Sequence, residues 1–285
     1  MRLKAVPCCI RREPKGGIFM SEAATDQPGL RLERDGDIAF IIASNPARMN
    51  AFTASMWEAV PRLIAAAEAD EAIRVIVLRG EGTRAFSAGA DISEFDSART
   101  GAATYAYDEL NDAAFRALSG CSKPLLAMIH GFCLGGGLAI ALCADIRIAD
   151  EAAQFAIPAA KLGLGYNARW VRPLLAAVRP AHAKELMFTG RRFKVAEALH
   201  MGLVNTVVTT AELEEKTRAL AGEIAANAPL TVRAAKRTID ELTRNPQTPD
   251  IAAMDAAVAA CFDSEDYAEG RLAFKEKRKP QFKGR

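Results

Sequence analysis

The chain has 285 residues, half of them hydrophobic, enough for one sizeable core or a core with a smaller appendage. A net charge of +2 points to neither nucleic acid nor a membrane surface as partner, and no apolar run approaches the roughly 18 residues a membrane span needs. Six cysteines without a CxxC pair read as the reduced thiols of a cytoplasmic protein, and three histidines without an HExxH or a Cys/His cluster argue against a metal site.

The first twenty residues, MRLKAVPCCIRREPKGGIFM, are basic and lack both helical periodicity and a long apolar stretch. They fit a secretory signal poorly. Residues 1–20 are expected to be a disordered extension or a misassigned start ahead of Met20, with a short targeting peptide as the alternative. Residues 21–210 are expected to form the core, and 211–285 a helical C-terminal region.

Apolar–polar alternation over 30–33 and 37–42, around Asp35-Gly36, predicts a hairpin. NPARMNAF follows as a loop. A helix is expected over 53–69, with Met56, Val60, Leu63, Ile64 and Ala67 on one face. IRVIVLRG (73–80) and KPLLAMIHG (123–131) are continuous apolar runs of the kind buried parallel strands show. The loop EGTRAFSAGADISEF leads to a helix near 102–119. The glycine cluster in HGFCLGGGLAIALCAD leads to another near 135–143. ADIRIAD, AQFAI and LVNTVV (near 203–208) read as short strands, and the chain beyond about 166 is otherwise mostly helical. Strand–loop–helix units in alternation imply α/β layering with parallel strands.

The first four N–H groups of a helix have no partner within it. Gly135, Gly136 and Gly137 therefore bare donors that an oxygen can approach without meeting a Cβ. There is no Lys-Ser/Thr pair and no GxGxxG, so the cluster is not a phosphate loop of either common kind. It reads better as a donor for a carbonyl oxygen that becomes an enolate. FSAGADI (86–92) is the candidate for a second donor. Tight packing alone also explains glycine and alanine clusters; two such loops, each following a buried parallel strand, are more specific.

AFSAGADISEF, KPLLAMIHGFCLGGGLAIALCADIRIA, AQFAIPAAKLGL and the ending EGRLAFKEKRKPQF, in that order, resemble the crotonase (enoyl-CoA hydratase/isomerase) family from about residue 30 to 283. The resemblance implies an α/β spiral of ββα turns, a helical C-terminal trimerisation region and acyl-CoA thioesters as substrates. No cofactor is implied beyond the CoA of the substrate. The partner implied is a second and third copy of the chain, as a homotrimer or a dimer of trimers. By motif, the oxyanion hole falls on the amides of Ala90 and Gly136. The resemblance also gives CoA contacts to the NPARMNAF loop, to the Ala88–Ile92 loop with Asp91, and to Phe274 and Lys277, and counts Gly135, Ala139 and Ala159 among the substrate-binding positions. Arg48, in NPARMNAF, is the candidate for a CoA phosphate.

Two positions depart from the family pattern. The glutamates that handle water and proton in hydratases fall on Ala139 and Ala159 here. A third position, which carries aspartate in other branches, aligns with Asn167. Losing general acid–base catalysis removes about 10²–10⁴-fold, so ordinary hydration is in doubt. Tyr166, in LGLGYNARWVRPL, resembles the tyrosine of methylmalonyl-CoA decarboxylases, and decarboxylation suits a site without a base. Asp108, Glu109, Tyr105, Tyr107 and Glu94 are weaker substitutes, each more readily explained as solvated or structural. Asp145 and His130 are expected to be structural. A Ser87 nucleophile lacks a histidine motif to activate it. An acyl-CoA-binding member without activity remains the reading from another class.

Overall fold

The computed structural model describes residues 28–94 and 103–285. The extension expected over residues 1–20, with Cys8 and Cys9, lies outside the described residues. The strands are β1 (Gly29–Asp35), β2 (Ile38–Ser44), β3 (Val75–Gly80), β4 (Ala85–Ser87), β5 (Leu125–Ile129), β6 (Phe132–Leu134), β7 (Ile146–Asp150), β8 (Gln154–Ala156), β9 (Phe193–Lys194) and β10 (Thr206–Val208). The helices are α1 (Ala54–Ala69), α2 (Ala103–Ser119), α3 (Gly136–Leu142), α4 (Ala168–Ala177), α5 (Pro180–Thr189), α6 (Val195–Met201), α7 (Leu213–Ala225), α8 (Pro229–Arg244), α9 (Ile251–Phe262) and α10 (Glu265–Glu276).

Two sheets carry the core. The larger runs β1-β2-β3-β5-β7-β10, antiparallel only between β1 and β2. The smaller runs β4-β6-β8-β9, parallel from β4 to β8. Each turn of the chain lays one strand in the large sheet and the next, shorter strand in the small one: β3 then β4, β5 then β6, β7 then β8. This is the spiral of ββα turns. β5 is LLAMI, buried at all five positions, because both faces of the large sheet are covered. One face meets α1, α2, α3 and the small sheet in a core that includes Trp57, Ile76, Leu125 and Phe155. On the other face Phe40, Val75, Val77 and Leu126 pack against Leu213, Ala221 and Ala225 of α7. So α7, the first helix beyond residue 210, belongs by packing to the sheet.

α1 begins where Thr53 accepts a hydrogen bond from the Met56 amide at 3.3 Å and Glu94 Oε2 accepts from the Ala54 amide at 2.8 Å, satisfying two of its open donors. The expected face of Met56, Val60, Leu63, Ile64 and Ala67 is buried, with Trp57 added. The helical region is tied back by Lys236, whose ammonium bonds both oxygens of Asp145, at 2.7 and 2.8 Å, and the Lys123 carbonyl at 3.2 Å. Asp145 also accepts from the Leu125 amide at 2.7 Å. The expected structural role of this aspartate is what its contacts show.

Candidate active site

The sequence places the two glycine-bearing loops after the long strands near 73–80 and 123–131. The structure inserts a three-residue strand before each: β4 ends at Ser87 and β6 at Leu134. β4 and β6 are hydrogen-bonded parallel neighbours, and adjacent strands lie about 5 Å apart. Their carboxyl ends therefore deliver Gly89-Ala90 and Gly135-Gly136 side by side.

The first loop is braced by NPARMNAF. Phe52 forms a parallel bridge with Ala90: its amide donates to the Gly89 carbonyl at 2.7 Å, and its carbonyl accepts from Asp91 at 2.9 Å. The Ala88 amide donates to the Met49 carbonyl at 2.9 Å. Asn50, with a left-handed φ of 55°, donates to the carbonyls of Glu81 and Ala85 at 3.0 and 2.8 Å. Ser87 is sealed in this brace, donating to the Asn50 carbonyl at 2.8 Å and accepting from the Gly89 amide at 3.1 Å. Its hydroxyl meets no histidine, as expected of a structural serine.

The second loop answers why three glycines stand in a row. Gly135 has φ +51°, a region L side chains rarely enter. A Cβ on Gly136 would lie 3.2 Å from the Trp57 ring and 3.5 Å from the Ala90 amide nitrogen; one on Gly137 would lie 2.5 Å from the Ser87 carbonyl oxygen. Across the gap, a Cβ on Gly89 would lie 2.9 Å from the Gly136 amide nitrogen. Among the described residues neither the Ala90 nor the Gly136 amide donates to another protein group.

Ala90 and Gly136 both line a cavity of about 90 Å³. It brings together Ala88, Ala90, Ile92, Gly135, Gly136, Ala139, Ala159 and Tyr166, as expected. Trp57, Asn111, Phe115, Leu162, Leu164 and Trp170, with Gly89, Pro158 and Gly165, complete its wall. A run of ring contacts crosses it: Trp57 to Phe115 at 5.5 Å, Phe115 to Trp170 at 6.1 Å and Trp170 to Tyr166 at 5.5 Å between centroids. Among the described residues no carboxylate, histidine, lysine, arginine or cysteine lines it. The positions of Ala139 and Ala159 are thus filled by methyl groups facing the same space.

The other expected residues stand elsewhere. Asp91 is 5% exposed and does not line the cavity; its carboxylate is taken up by the Ser93 amide and hydroxyl, at 3.0 and 2.7 Å, and by Arg48 at 3.3 Å. Arg48 lies in the turn Pro46–Arg48, beside the loop rather than in the cavity. Phe274 lies on α10, in a separate groove of about 1060 Å³ among α8, α9 and α10, and Lys277 caps that helix. The single chain does not bring either to the cavity.

Of the weaker candidates, Glu109 is exposed and paired with Arg116 at 2.8 Å, and Tyr105 is exposed. Neither Asp108 nor Glu94 lines the cavity. Tyr107 is buried, its hydroxyl accepting from the Trp57 indole at 3.1 Å. Asn167 caps α4, accepting from the Arg169 amide at 3.2 Å. His130 is buried, and among the described residues its Nε2 has no partner; burial lowers its pKa, opposed by Asp150.

Sequence reasoning missed Asp112. It is buried and lies one turn from the cavity wall, accepting from the Trp170 indole at 3.0 Å and from the Arg169 guanidinium. That joins α2 to the start of α4 and fixes the wall that carries Tyr166.

A spiral of this kind defines a class of fold, and comparison with known proteins agrees. The family model for enoyl-CoA hydratase/isomerase matches residues 33–285, and the chain belongs to that family. It is similar to the short-chain-enoyl-CoA hydratase of Clostridium acetobutylicum, 35% identical over 255 residues, covering 89% of this chain and 97% of the relative. It is 35% identical over 266 residues to the carnitinyl-CoA dehydratase of Proteus mirabilis, covering 90% and 98%. Among solved structures, an enoyl-CoA hydratase/carnithine racemase from Magnetospirillum magneticum superposes with a TM-score of 0.85 at 36% identity, covering 90% and 96%. Among the described residues no helix is long and apolar enough to cross a membrane.

Proposed function

We propose that this chain binds an acyl-CoA thioester and stabilises its enolate, with the thioester oxygen between the Ala90 and Gly136 amides. The observation that carries this reading is the pair of amides, unengaged among the described residues, on two residues that line one cavity. Fixed donors at a developing oxyanion contribute roughly 3 kcal/mol each. The names of the relatives, all enzymes of CoA thioesters, support the substrate class. Ala88, Ile92, Gly135, Ala139 and Ala159 then contact the acyl thioester. Arg48, held by Asp91, meets a CoA phosphate. The reading uses no cofactor beyond CoA.

We read the exposed apolar side chains of α8–α10, Ile239, Phe262 and Phe274 among them, as the trimerisation surface the family resemblance implies. Phe274 and Lys277 reach CoA only in that assembly. Light scattering on the purified chain tests it; a monomer at micromolar concentration sinks it.

The second reading is decarboxylation, favoured by the absence of a carboxylate, histidine, lysine or cysteine from the described cavity wall. When the bond to CO₂ breaks, its electron pair stays on the α-carbon as the enolate, and no protein base is needed. Tyr166 would orient the departing carboxylate.

Mass spectrometry of products from crotonyl-, 3-hydroxybutyryl-, methylmalonyl- and aromatic enoyl-CoA decides among these. Gain or loss of water establishes hydratase chemistry from groups other than residues 139 and 159. Loss of CO₂ establishes the second reading. Binding without turnover leaves an acyl-CoA-binding member. No binding of any thioester overturns the proposal.

A further inference from the structure

We infer that Asn111 is a specificity-determining residue that accepts a hydrogen bond from a hydroxyl on the acyl chain. The inference rests on the acyl-CoA reading above and narrows it.

Asn111 sits on α2 one turn from Phe115, and both side chains line the cavity. It is 4% exposed. Its Nδ2 donates to the Tyr107 carbonyl at 2.6 Å, one turn back along the helix. That bond decides which end of the amide is which: turned over, the side chain would set oxygen against oxygen. Oδ1 is left as the outward end, and it accepts no bond from the described residues.

Oδ1 is not sealed in the core. Among the described residues the one fully buried side-chain polar atom without a partner is His130 Nε2. An acceptor on a residue this buried, unpaired yet not sealed, opens on the space the residue lines. Leaving such a group unsatisfied when substrate displaces water costs about 1–3 kcal/mol, so the wall favours an acyl group that supplies a donor.

The rest of the wall sharpens the chemistry. The Trp57 indole is taken by the Tyr107 hydroxyl at 3.1 Å, and the Trp170 indole by Asp112 at 3.0 Å. The Tyr166 hydroxyl is the other side-chain polar group of the wall, and most of the remaining lining is alanine, leucine, isoleucine and aromatic ring. A carboxylate or ketone oxygen would face Oδ1 with like polarity. An ammonium would donate, but would bring a full charge against a wall with no carboxylate in contact. A hydroxyl donates without a charge. The same acceptor weighs against an acyl carboxylate at this point of the cavity.

Titration calorimetry with butyryl-CoA, 3-hydroxybutyryl-CoA and 4-hydroxybutyryl-CoA tests the inference, the thioesters being checked by mass after each run. One hydroxylated ester is expected to bind about 2- to 10-fold more tightly than butyryl-CoA, the range of one neutral hydrogen bond. Asn111→Leu, similar in size and without the acceptor, should bring that ratio to about 1 while butyryl-CoA still binds. Asn111→Ala gives the same readout if thermal unfolding shows the leucine variant misfolded. Equal affinity for all three esters in the parent protein overturns the inference, as does a preference that survives both substitutions. Failure of every ester to bind overturns the acyl-CoA reading itself, and this inference with it.

Discussion

The floor of the cavity is backbone and its walls are side chains, and the two are fixed by different means. At the floor, Gly89, Gly135 and Gly137 are held by positive φ or by approaches that a single methyl would close to under 3 Å. The two donors there need no side chain to function. At the walls, α2 and the start of α4 are joined by ring contacts and by Asp112, and residues 139 and 159 present only methyl groups. The floor can be read as chemistry from sterics alone. The walls determine which acyl group and which reaction, and there residue identity matters one position at a time.

The sharpest way to break the floor is Gly137→Ala. Its Cβ would sit 2.5 Å from the Ser87 carbonyl oxygen and 2.7 Å from Ser87 Cβ, and both belong to a buried strand with no room to shift. Overpacking of this kind costs about 1–3 kcal/mol, and the displaced loop carries the Gly136 amide with it. Urea unfolding should show the loss of stability, and calorimetry a loss of thioester affinity. Gly136→Pro and Gly136→Ala form a finer pair. Both add a Cβ next to Trp57, but only proline removes the N–H, at a first-turn position that tolerates it. Turnover of whichever thioester proves active should be about 10²–10³-fold lower in the proline variant than in the alanine variant. Equal rates would mean that the amide at 136 is not an oxyanion donor.

The same contrast explains what was legible before the structure. β3 and β5 announce themselves because burial on both faces leaves continuous apolar runs, β2 shows in the alternation over 37–42 and β7 as the short strand of ADIRIAD, and the glycines mark Ala90 and Gly136. β4, β6 and β9, of two or three residues, are too short to show a period of two. With them the small sheet went unseen, and so did the reason the two loops meet. Trp57 and Trp170 look like ordinary core aromatics in sequence. Asn111 is one polar residue on an amphipathic helix, and only its bond to Tyr107 makes its orientation meaningful. Asp91 misleads in the opposite direction: a carboxylate next to Ala90 in sequence is spent on Ser93 and Arg48.

On the wall, Tyr166→Phe separates chemistry from shape. The ring contact with Trp170 at 5.5 Å does not need the hydroxyl, so CoA thioester affinity should change by less than about 3-fold, within the worth of one neutral hydrogen bond. If the phenol orients or protonates the reacting group, turnover falls by about 10², the lower end for proton-transfer groups. Unchanged turnover would reduce Tyr166 to packing and leave the floor as the whole of the machinery.

The smallest effect lies behind the floor, at His130. Burial is the main cause lowering its pKa from 6.5, with Arg79 acting the same way and Asp150 and Glu214 opposing. Above pH 6.5 the ring is neutral in both the folded and the unfolded chain and contributes no slope. As pH falls through 6.5, the unfolded chain binds a proton that the folded chain refuses. Stability is therefore lost from that point down to the folded pKa, and the loss ends below it. His130→Leu removes this group while many carboxylates continue to titrate in both proteins. The useful measurement is the difference in unfolding free energy between parent and variant from pH 8 to pH 5. It should be flat above about 6.5 and shift in favour of the variant below it. A difference that stays flat throughout would mean that His130 finds a partner for its proton on folding, and that the strand end behind the glycine loop is more polar than its contacts indicate.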